Sequence, residues 1–226
     1  VRGYFDEGYS GDHLQGSYFG GLYENKEIGH PQVFKGFVTR ENFIVNACDW
    51  LYTRIVVDGE QLDLAKNTYE KFVRTTDLRT GVMTRSLIWR TASGKRIRIA
   101  FERFLSMADN NLAVQRITFE SLGGPASVKV RTGLNFGTYQ EIAAGWDMRH
   151  EQGSARKRPD ITYWDVLRKE ARNGIYGIQA RTRTTGFSAA CTFRLNSTAI
   201  RDLKAFEGPD AIGCEYRLSL RKAAPV

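Results

Sequence analysis

The chain of 226 residues lacks several features that would assign it at once to a class of protein. No apolar run approaches the roughly 20 residues that a membrane-spanning helix needs. The three cysteines, Cys48, Cys191 and Cys214, lie far apart and show no metal-binding or redox spacing. We therefore expect no metal site, no bound cofactor, no disulfide framework and no membrane partner. A cytoplasmic location is favoured over a bacterial periplasm.

Catalytic signatures are also scarce. No Gly-x-Ser-x-Gly sequence marks a nucleophilic serine. The only histidines, His13, His30 and His150, fall in stretches that resemble loops, and we interpret each as a solvated loop residue rather than a general base. The chain therefore shows neither a nucleophile triad nor a histidine placed as a general base.

The positive charge does not indicate a nucleic-acid partner. Lys and Arg outnumber Asp and Glu by 33 to 25, but they are spread along the chain. The densest cluster, "ARKRPD" at residues 155–160, is interpreted as a solvated loop. The stretch "FKGFVTRENFIV" at residues 34–45 has the Lys-Gly-Phe start of an RNA-binding strand. However, Val38 follows Phe37 directly, whereas the motif has a second aromatic residue between the Gly and the Val. We expect no nucleic-acid binding.

The chain does contain a strong two-residue periodicity, which is typical of half-buried strands. In residues 82–91, Arg85 falls on the same face as Leu87 and Trp89, and in residues 95–106 apolar residues alternate with Arg and Glu. On a sheet with one wet face, such Arg and Glu residues are expected to pair across adjacent strands. They need no polyanion as a partner.

Turn signals separate the periodic stretches at intervals of about ten residues. Asp58–Gly59 and Asn173–Gly174 each stand between two strand-like runs, which predicts two hairpins. No long amphipathic helix is evident. The pattern predicts an all-β fold, a large antiparallel β-sandwich of two sheets, with one long irregular stretch at residues 135–160 that is expected to be functional or disordered.

One pair of carboxylates stands among aromatic residues. Asp6 and Glu7 lie between Tyr4 and Tyr9 near the start of the chain. A carboxylate pair of this kind can bind or cleave sugars. The same residues also suit an ordinary polar turn closed by its own side chains. The spacing alone leaves both interpretations open.

Taken together and in order, several stretches resemble the N-terminal domain of glycoside hydrolase family 65 in a bacterial form. They are "VRGYFDEGYSGDHLQGSYFGGLYE", "FKGFVTRENFIVNACDWLYTRIVVDGEQLDL", "TDLRTGVMTRSLIW" and "RIAFERFLSMADNNLAVQRITFE". The family includes maltose, kojibiose, nigerose and trehalose phosphorylases and some hydrolases. The likeness covers nearly the whole chain.

The resemblance implies a sandwich similar to those of galactose mutarotases, a so-called supersandwich. In the family, a helical linker joins this domain to a catalytic barrel of paired helices, where a Glu acts as general acid. In the phosphorylases, inorganic phosphate is the co-substrate and attacks with inversion to give β-glucose 1-phosphate. In the hydrolases, a second carboxylate activates water.

The expected barrel would follow residue 226. We therefore expect residues 1–226 to be a single β-sandwich domain, cut at both ends, that holds no catalytic residue and is inactive alone. Its expected role is to shape the mouth of the active site, to pack against its own barrel or to form a homodimer, in an enzyme acting on α-glucosyl disaccharides. The alternative is a free-standing sugar-binding or mutarotase-like sandwich, which the absence of histidines from the strand-like runs disfavours.

The resemblance also gives roles to individual residues. It places Tyr4, Asp6, Glu7 and Tyr9 toward the barrel, and we expect interdomain contact there rather than direct sugar contact. Phe37 and Phe43 are expected to pack, and Arg40 and Glu41 to form a local polar pair or an interdomain contact. These last four residues precede the strand expected from Trp50 to Val57.

Overall fold

The computed structural model describes residues 16–27, 35–36, 39–138, 162–222 and 225–226. All the regular secondary structure in these residues is β-strand, which confirms the all-β prediction. The strands are β1 (Tyr23–Glu27), β2 (Arg40–Ile44), β3 (Asp49–Val57), β4 (Glu60–Gln61), β5 (Thr68–Asp77), β6 (Val82–Arg90), β7 (Arg96–Leu105), β8 (Ala113–Ser121), β9 (Ala126–Asn135), β10 (Trp164–Arg172), β11 (Ile175–Thr182), β12 (Ser188–Arg194), β13 (Arg201–Glu207) and β14 (Ala211–Leu220).

The strands in the described part of the chain pair into four antiparallel sheets. The largest has five strands in the order β13-β14-β9-β3-β4, and the next has four in the order β5-β6-β7-β8. A third sheet contains β10-β11-β12, and β1 pairs with β2 alone. The chain crosses between the two largest sheets after β14, where Val226 exchanges two backbone hydrogen bonds with Phe119 of β8.

One buried core joins the three larger sheets. The inner face of the five-stranded sheet contributes alternate residues such as Val128, Val130 and Leu218. The four-stranded sheet contributes its own alternate residues, and the three-stranded sheet adds Trp164 and Ile178 among others. The five-stranded sheet therefore forms one layer of a sandwich, and the other two sheets cover its inner face.

Alternation along β6 explains a buried arginine. Leu87 and Trp89 are almost fully buried, and Arg85 lies on the same face with 1% of its surface exposed. The Arg85 guanidinium stacks over the ring of its cross-strand neighbour Phe101, 4.2 Å from the ring centre. Arginine tolerates this position because its long stem is apolar and its planar head stacks on aromatic rings.

The two predicted hairpins form at the predicted residues. Asp58 and Gly59 have φ values of 49° and 88° between β3 and β4. Asn173 and Gly174 have φ values of 52° and 74° between β10 and β11. Positive φ at both central residues defines the turn whose twist matches that of the flanking strands, and Asn, Asp and Gly adopt it at the lowest cost.

Opposite charges pair across neighbouring strands on the outer faces, as expected. Glu70 of β5 lies between Arg96 at 2.7 Å and Arg90 at 3.0 Å. Hydrogen bonds from Arg96 and then Arg90 lower the pKa of the Glu70 carboxyl. Further pairs of this kind are Arg98–Glu120, Arg116–Glu102, Arg131–Glu215 and Lys129–Glu215. Much of the positive charge is thus balanced locally on the sheets.

Two glycines face each other in the five-stranded sheet. Gly133 of β9 and Gly213 of β14 are direct partners, and the same row continues to Tyr52 of β3 and Phe206 of β13. The Tyr52 and Phe206 ring centres are 6.0 Å apart, so the two aromatic side chains lean toward each other over the glycines. This arrangement needs residues without side chains in the middle of the row.

Gly213→Ala is expected to lower the free energy of unfolding by about 1–3 kcal/mol, the range for overpacking. An added Cβ would overlap the Thr132 carbonyl oxygen and lie 2.7 Å from the Phe206 ring. Gly177→Ala in β11 is the matched control, because its Cβ would meet only ordinary contacts from 3.4 Å outward. Urea unfolding of both variants measures the difference. Equal losses would contradict the close approach of β9 and β14.

Candidate functional site

Several separate segments of the chain meet at one buried polar cluster, which we call the loop base. It consists of Ser17, Asn46, Thr138 and Trp164. Ser17 follows residues 1–15, whereas Thr138 and Trp164 stand close before and after residues 139–161. The cluster therefore holds the residues that flank the two longest stretches outside the described residues, 1–15 and 139–161.

Asn46 is the centre of the loop base. It lies in the connection between β2 and β3 and is 3% exposed. Its side-chain oxygen accepts a hydrogen bond from the backbone N–H of Ser17 at 2.9 Å. Its backbone carbonyl oxygen accepts hydrogen bonds from the Thr138 hydroxyl at 3.1 Å and from the Trp164 indole N–H at 2.8 Å. A single residue thus holds three segments that are distant in sequence.

Aromatic packing surrounds these hydrogen bonds. The ring centres of Phe136 and Trp164 are 4.9 Å apart, and those of Phe43 and Tyr163 are 5.0 Å apart in an edge-on arrangement. Burial raises the pKa of the Tyr163 hydroxyl, and the nearby Glu24 carboxylate adds to this rise. The expected packing role of Phe43 is confirmed, because its ring lies against the core.

Glu24 is a fully buried carboxylate whose two oxygens are both in use. Oε2 accepts from the backbone N–H of Thr184 at 3.0 Å, and Oε1 accepts from those of Thr185 and Asn25 at 3.1 and 2.9 Å. The Thr185 hydroxyl donates in return to the Tyr23 carbonyl at 2.7 Å. Because backbone amides replace water around the charge, this carboxylate fixes β1 to the β11–β12 turn.

The buried carboxylates near this site accept hydrogen bonds from backbone amides, which is a structural role. Asp49, the other carboxylate beside Asn46, is 3% exposed and accepts from the Leu51 N–H at 3.1 Å. Within the described ranges there is no group of three or more His, Cys, Asp and Glu residues that could hold a metal ion. These ranges also contain no helix long and apolar enough to cross a membrane.

A shallow pocket lies at the β6–β7 turn, and its carboxylate is also engaged. Residues 66–68 and 90–92 line it together with Glu60 and Gly94. Glu60 accepts from the Asn67 side chain at 3.0 Å and from the Ala92 N–H at 2.6 Å. Glu60 therefore ties two turns together. No aromatic side chain lines the pocket to stack on a sugar.

The model of the family "Glycosyl hydrolase family 65, N-terminal domain" matches residues 1–226. The chain belongs to glycosyl hydrolase family 65. This membership confirms the resemblance found in the sequence.

Phosphorylases are prominent among the relatives of this family 65 domain. A maltose phosphorylase from Bacillus subtilis is 34% identical over 135 residues, which is 57% of this chain and 17% of the relative. An α,α-trehalose phosphorylase from Thermoanaerobacter brockii is 26% identical over 208 residues, 90% of this chain and 26% of the relative. The family 65 domain thus spans about a quarter or less of the length of these relatives.

A solved structure shares the fold. It is described as a candidate kojibiose phosphorylase from the human microbiome and matches with a TM-score of 0.80 at 28% identity. The match covers 99% of this chain and 27% of the other.

The sequence-predicted contact residues Tyr4, Asp6, Glu7 and Tyr9 lie outside the described residues, as do the three histidines, Phe37 and residues 155–160. The structure pairs Arg40 with Glu27 of β1 at 3.8 Å across the β1–β2 hairpin, not with its neighbour Glu41. Sequence reasoning missed Glu24 and Asn46, whose polar side chains in short stretches carry no periodic signal.

Glu24→Gln is expected to lower the free energy of unfolding by about 1–3 kcal/mol, because an amide NH₂ would replace one of two acceptors and leave a buried N–H without a partner. Hydrogen exchange at the Thr184 and Thr185 amides should accelerate as well. Glu27→Gln on the same strand is the control. Its side chain is 83% exposed in a loose pair with Arg40. Similar losses in both variants would contradict the anchoring role of Glu24.

Proposed function

We propose that the family 65 domain is the non-catalytic N-terminal domain of an enzyme that cleaves an α-glucosyl disaccharide with inorganic phosphate. The observation that carries this proposal is the family match over all 226 residues, in a chain that covers only 17% and 26% of two related phosphorylases. The rest of such an enzyme would hold a catalytic helical barrel, which is the main partner of this domain.

The buried carboxylates support a scaffold role. A general acid must place its proton within hydrogen-bond reach of the glycosidic oxygen. Glu24 and Asp49 instead lie at 0% and 3% exposure and accept hydrogen bonds from backbone amides. Glu24 fixes β1 to the β11–β12 turn, Asp49 binds the start of β3, and neither has access to a sugar in this arrangement.

Two surfaces support packing against another part of the enzyme. The loop base holds Ser17, and in our proposal Tyr4, Asp6, Glu7 and Tyr9, which precede Ser17 in the sequence, contact the catalytic barrel. The ends of the β5–β6 and β7–β8 hairpins expose Leu78 and Met107 by 92% and 91%. In our proposal, a neighbouring domain or subunit covers these two side chains. A homodimer of the full-length enzyme is part of the proposal.

The proposed location is the cytoplasm. Three scattered cysteines without a disulfide framework support a reducing compartment over the periplasm.

The family match favours this enzyme over a free-standing sugar-binding or mutarotase-like sandwich, whose chemistry would need a His and Glu pair in a cleft.

The full-length protein is expected to release β-glucose 1-phosphate from maltose, kojibiose or trehalose only when phosphate is present. Residues 1–226 alone should be inactive, since a positioned general acid contributes roughly 10²–10⁴-fold to such a reaction. Anomer-specific detection of the product with and without phosphate measures both expectations. Turnover by residues 1–226 above that of a mock preparation would refute the scaffold role, and phosphate-independent glucose release would indicate a hydrolase.

Glu7→Gln in the full-length enzyme is expected to lower kcat/KM or the melting temperature while the product keeps its inverted configuration. The reason is that Glu7, with Tyr4, Asp6 and Tyr9, contacts the barrel in our proposal and performs no chemical step. Glu27→Gln, at an exposed carboxylate, is the control. Kinetics and melting equal to those of the unmodified enzyme would remove Glu7 from the proposed contact.

A further inference from the structure

The tip of the β10–β11 hairpin places an exposed asparagine directly before an exposed glycine. Asn173 and Gly174 are the two central residues of this turn. A Cβ added at Gly174 would meet no atom within 4 Å, so no neighbouring group crowds this residue. In the sequence, Asn173 is the only asparagine that a glycine follows. Its side-chain amide therefore lies beside a backbone nitrogen that no side chain shields.

This arrangement allows an asparagine to lose ammonia without an enzyme. The backbone nitrogen of Gly174 attacks the side-chain carbonyl carbon of Asn173, a C–N bond closes a five-membered imide, and the amide nitrogen leaves as ammonia. Water then opens one of the two imide carbonyls, which gives either aspartate or isoaspartate. The net reaction exchanges ammonia for water, and no oxidant or reductant takes part.

The other asparagines offer comparisons within the same chain. Hydrogen bonds from backbone amides hold the side-chain oxygens of Asn46, Asn67 and Asn135 in place. Asn196 is the closest comparison, because it is also exposed in a connection between strands. Ser197 follows it, and the side chain of that serine hinders attack by its backbone nitrogen in a way that glycine does not.

The β3–β4 hairpin shows that the aspartate product fits such a turn. Asp58 and Gly59 have φ values of 49° and 88°, close to the 52° and 74° of Asn173 and Gly174. The Asp58 carboxylate points out of its turn and pairs with Lys95 at 2.5 Å. An aspartate at position 173 should therefore leave the β10–β11 hairpin folded.

Isoaspartate does not fit the same turn. Its backbone runs through the side-chain carbon, which adds one CH₂ group to a two-residue connection. Because the length of this connection fixes the register of the flanking strands, the addition disturbs the nearest pairs, Arg172–Ile175 and Ala171–Tyr176. The Tyr176 side chain is 5% exposed and belongs to the core. The isoaspartate form should thus be less stable than the aspartate form.

We propose that Asn173 is a site of spontaneous modification, where the Asn–Gly turn converts to aspartate and isoaspartate as the protein ages. The two products have different consequences, since one preserves the β10–β11 turn and the other lengthens it. Aged protein therefore contains a stable fraction and a destabilised fraction that differ only in how one residue is linked.

Incubation of the folded full-length protein in mildly alkaline buffer tests this proposal. Trypsin then places Asn173 in the peptide of residues 173–181 and Asn196 in that of residues 195–201. The first peptide is expected to convert to two products, each heavier by the difference between an OH and an NH₂ group. Electron-transfer fragmentation identifies which product is isoaspartate. The second peptide should convert more slowly, and a sample digested without incubation corrects for changes during digestion.

Two variants separate the products. Asn173→Asp should melt at the temperature of the unmodified protein, whereas incubated unmodified protein should gain a lower-melting fraction in proportion to its isoaspartate. Asn173→Gly keeps a residue suited to positive φ and should gain no such fraction.

Conversion of Asn173 no faster than that of Asn196 would overturn the proposal, and so would unchanged melting of protein rich in isoaspartate. These measurements are independent of the phosphorylase activity.

Discussion

The backbone carbonyl of Asn46 is the acceptor on which one end of the sandwich depends. Two side chains, the Thr138 hydroxyl and the Trp164 indole, donate to this one oxygen. Without it, the indole N–H of Trp164 would be buried without a partner, at a cost of about 1–3 kcal/mol. The Thr138 hydroxyl would keep only its longer contact to the Phe136 carbonyl at 3.5 Å. The connection between β2 and β3 is therefore a junction that holds the end of β9 and the start of β10.

Glu24 is a second buried polar group that depends on its hydrogen-bond partners, and it carries a carboxylate. A buried carboxylate is tolerated only where hydrogen bonds replace its water, and here three backbone amides do so. As a result, separating β1 from the β11–β12 turn would either expose the Glu24 carboxylate to solvent or leave it buried without these hydrogen bonds. Such rigid anchoring suits a domain that positions its neighbours, as we propose for this member of family 65.

Much of the fold could be predicted from patterns among residues that are neighbours in the sequence. Alternation predicted the buried faces of β6 and β7, including Arg85, because a period of two places alternate side chains on one face of a strand. Asp58–Gly59 and Asn173–Gly174 predicted two hairpins because few other residue pairs adopt positive φ at so little cost. These signals involve residues that are neighbours in the chain.

The candidate site depends on contacts between residues far apart in sequence. Asn46 with Trp164 and Glu24 with Thr184 meet only once the sheets have packed, so no spacing or periodicity marks them. The division of the strands into four hydrogen-bonded sheets was hidden for the same reason. The pairing of Arg40 with Glu27 was missed for a similar reason, since the register between β1 and β2 could not be predicted from composition.

A crystal structure of the full-length protein with a bound disaccharide and phosphate would test the scaffold role most directly. We expect the glycosidic oxygen to lie in a helical barrel outside residues 1–226, against a carboxylate of that barrel. At most, side chains of residues 1–226 would touch the rim of the site. A disaccharide whose glycosidic oxygen lay against a carboxylate of residues 1–226 would contradict the non-catalytic role of this domain.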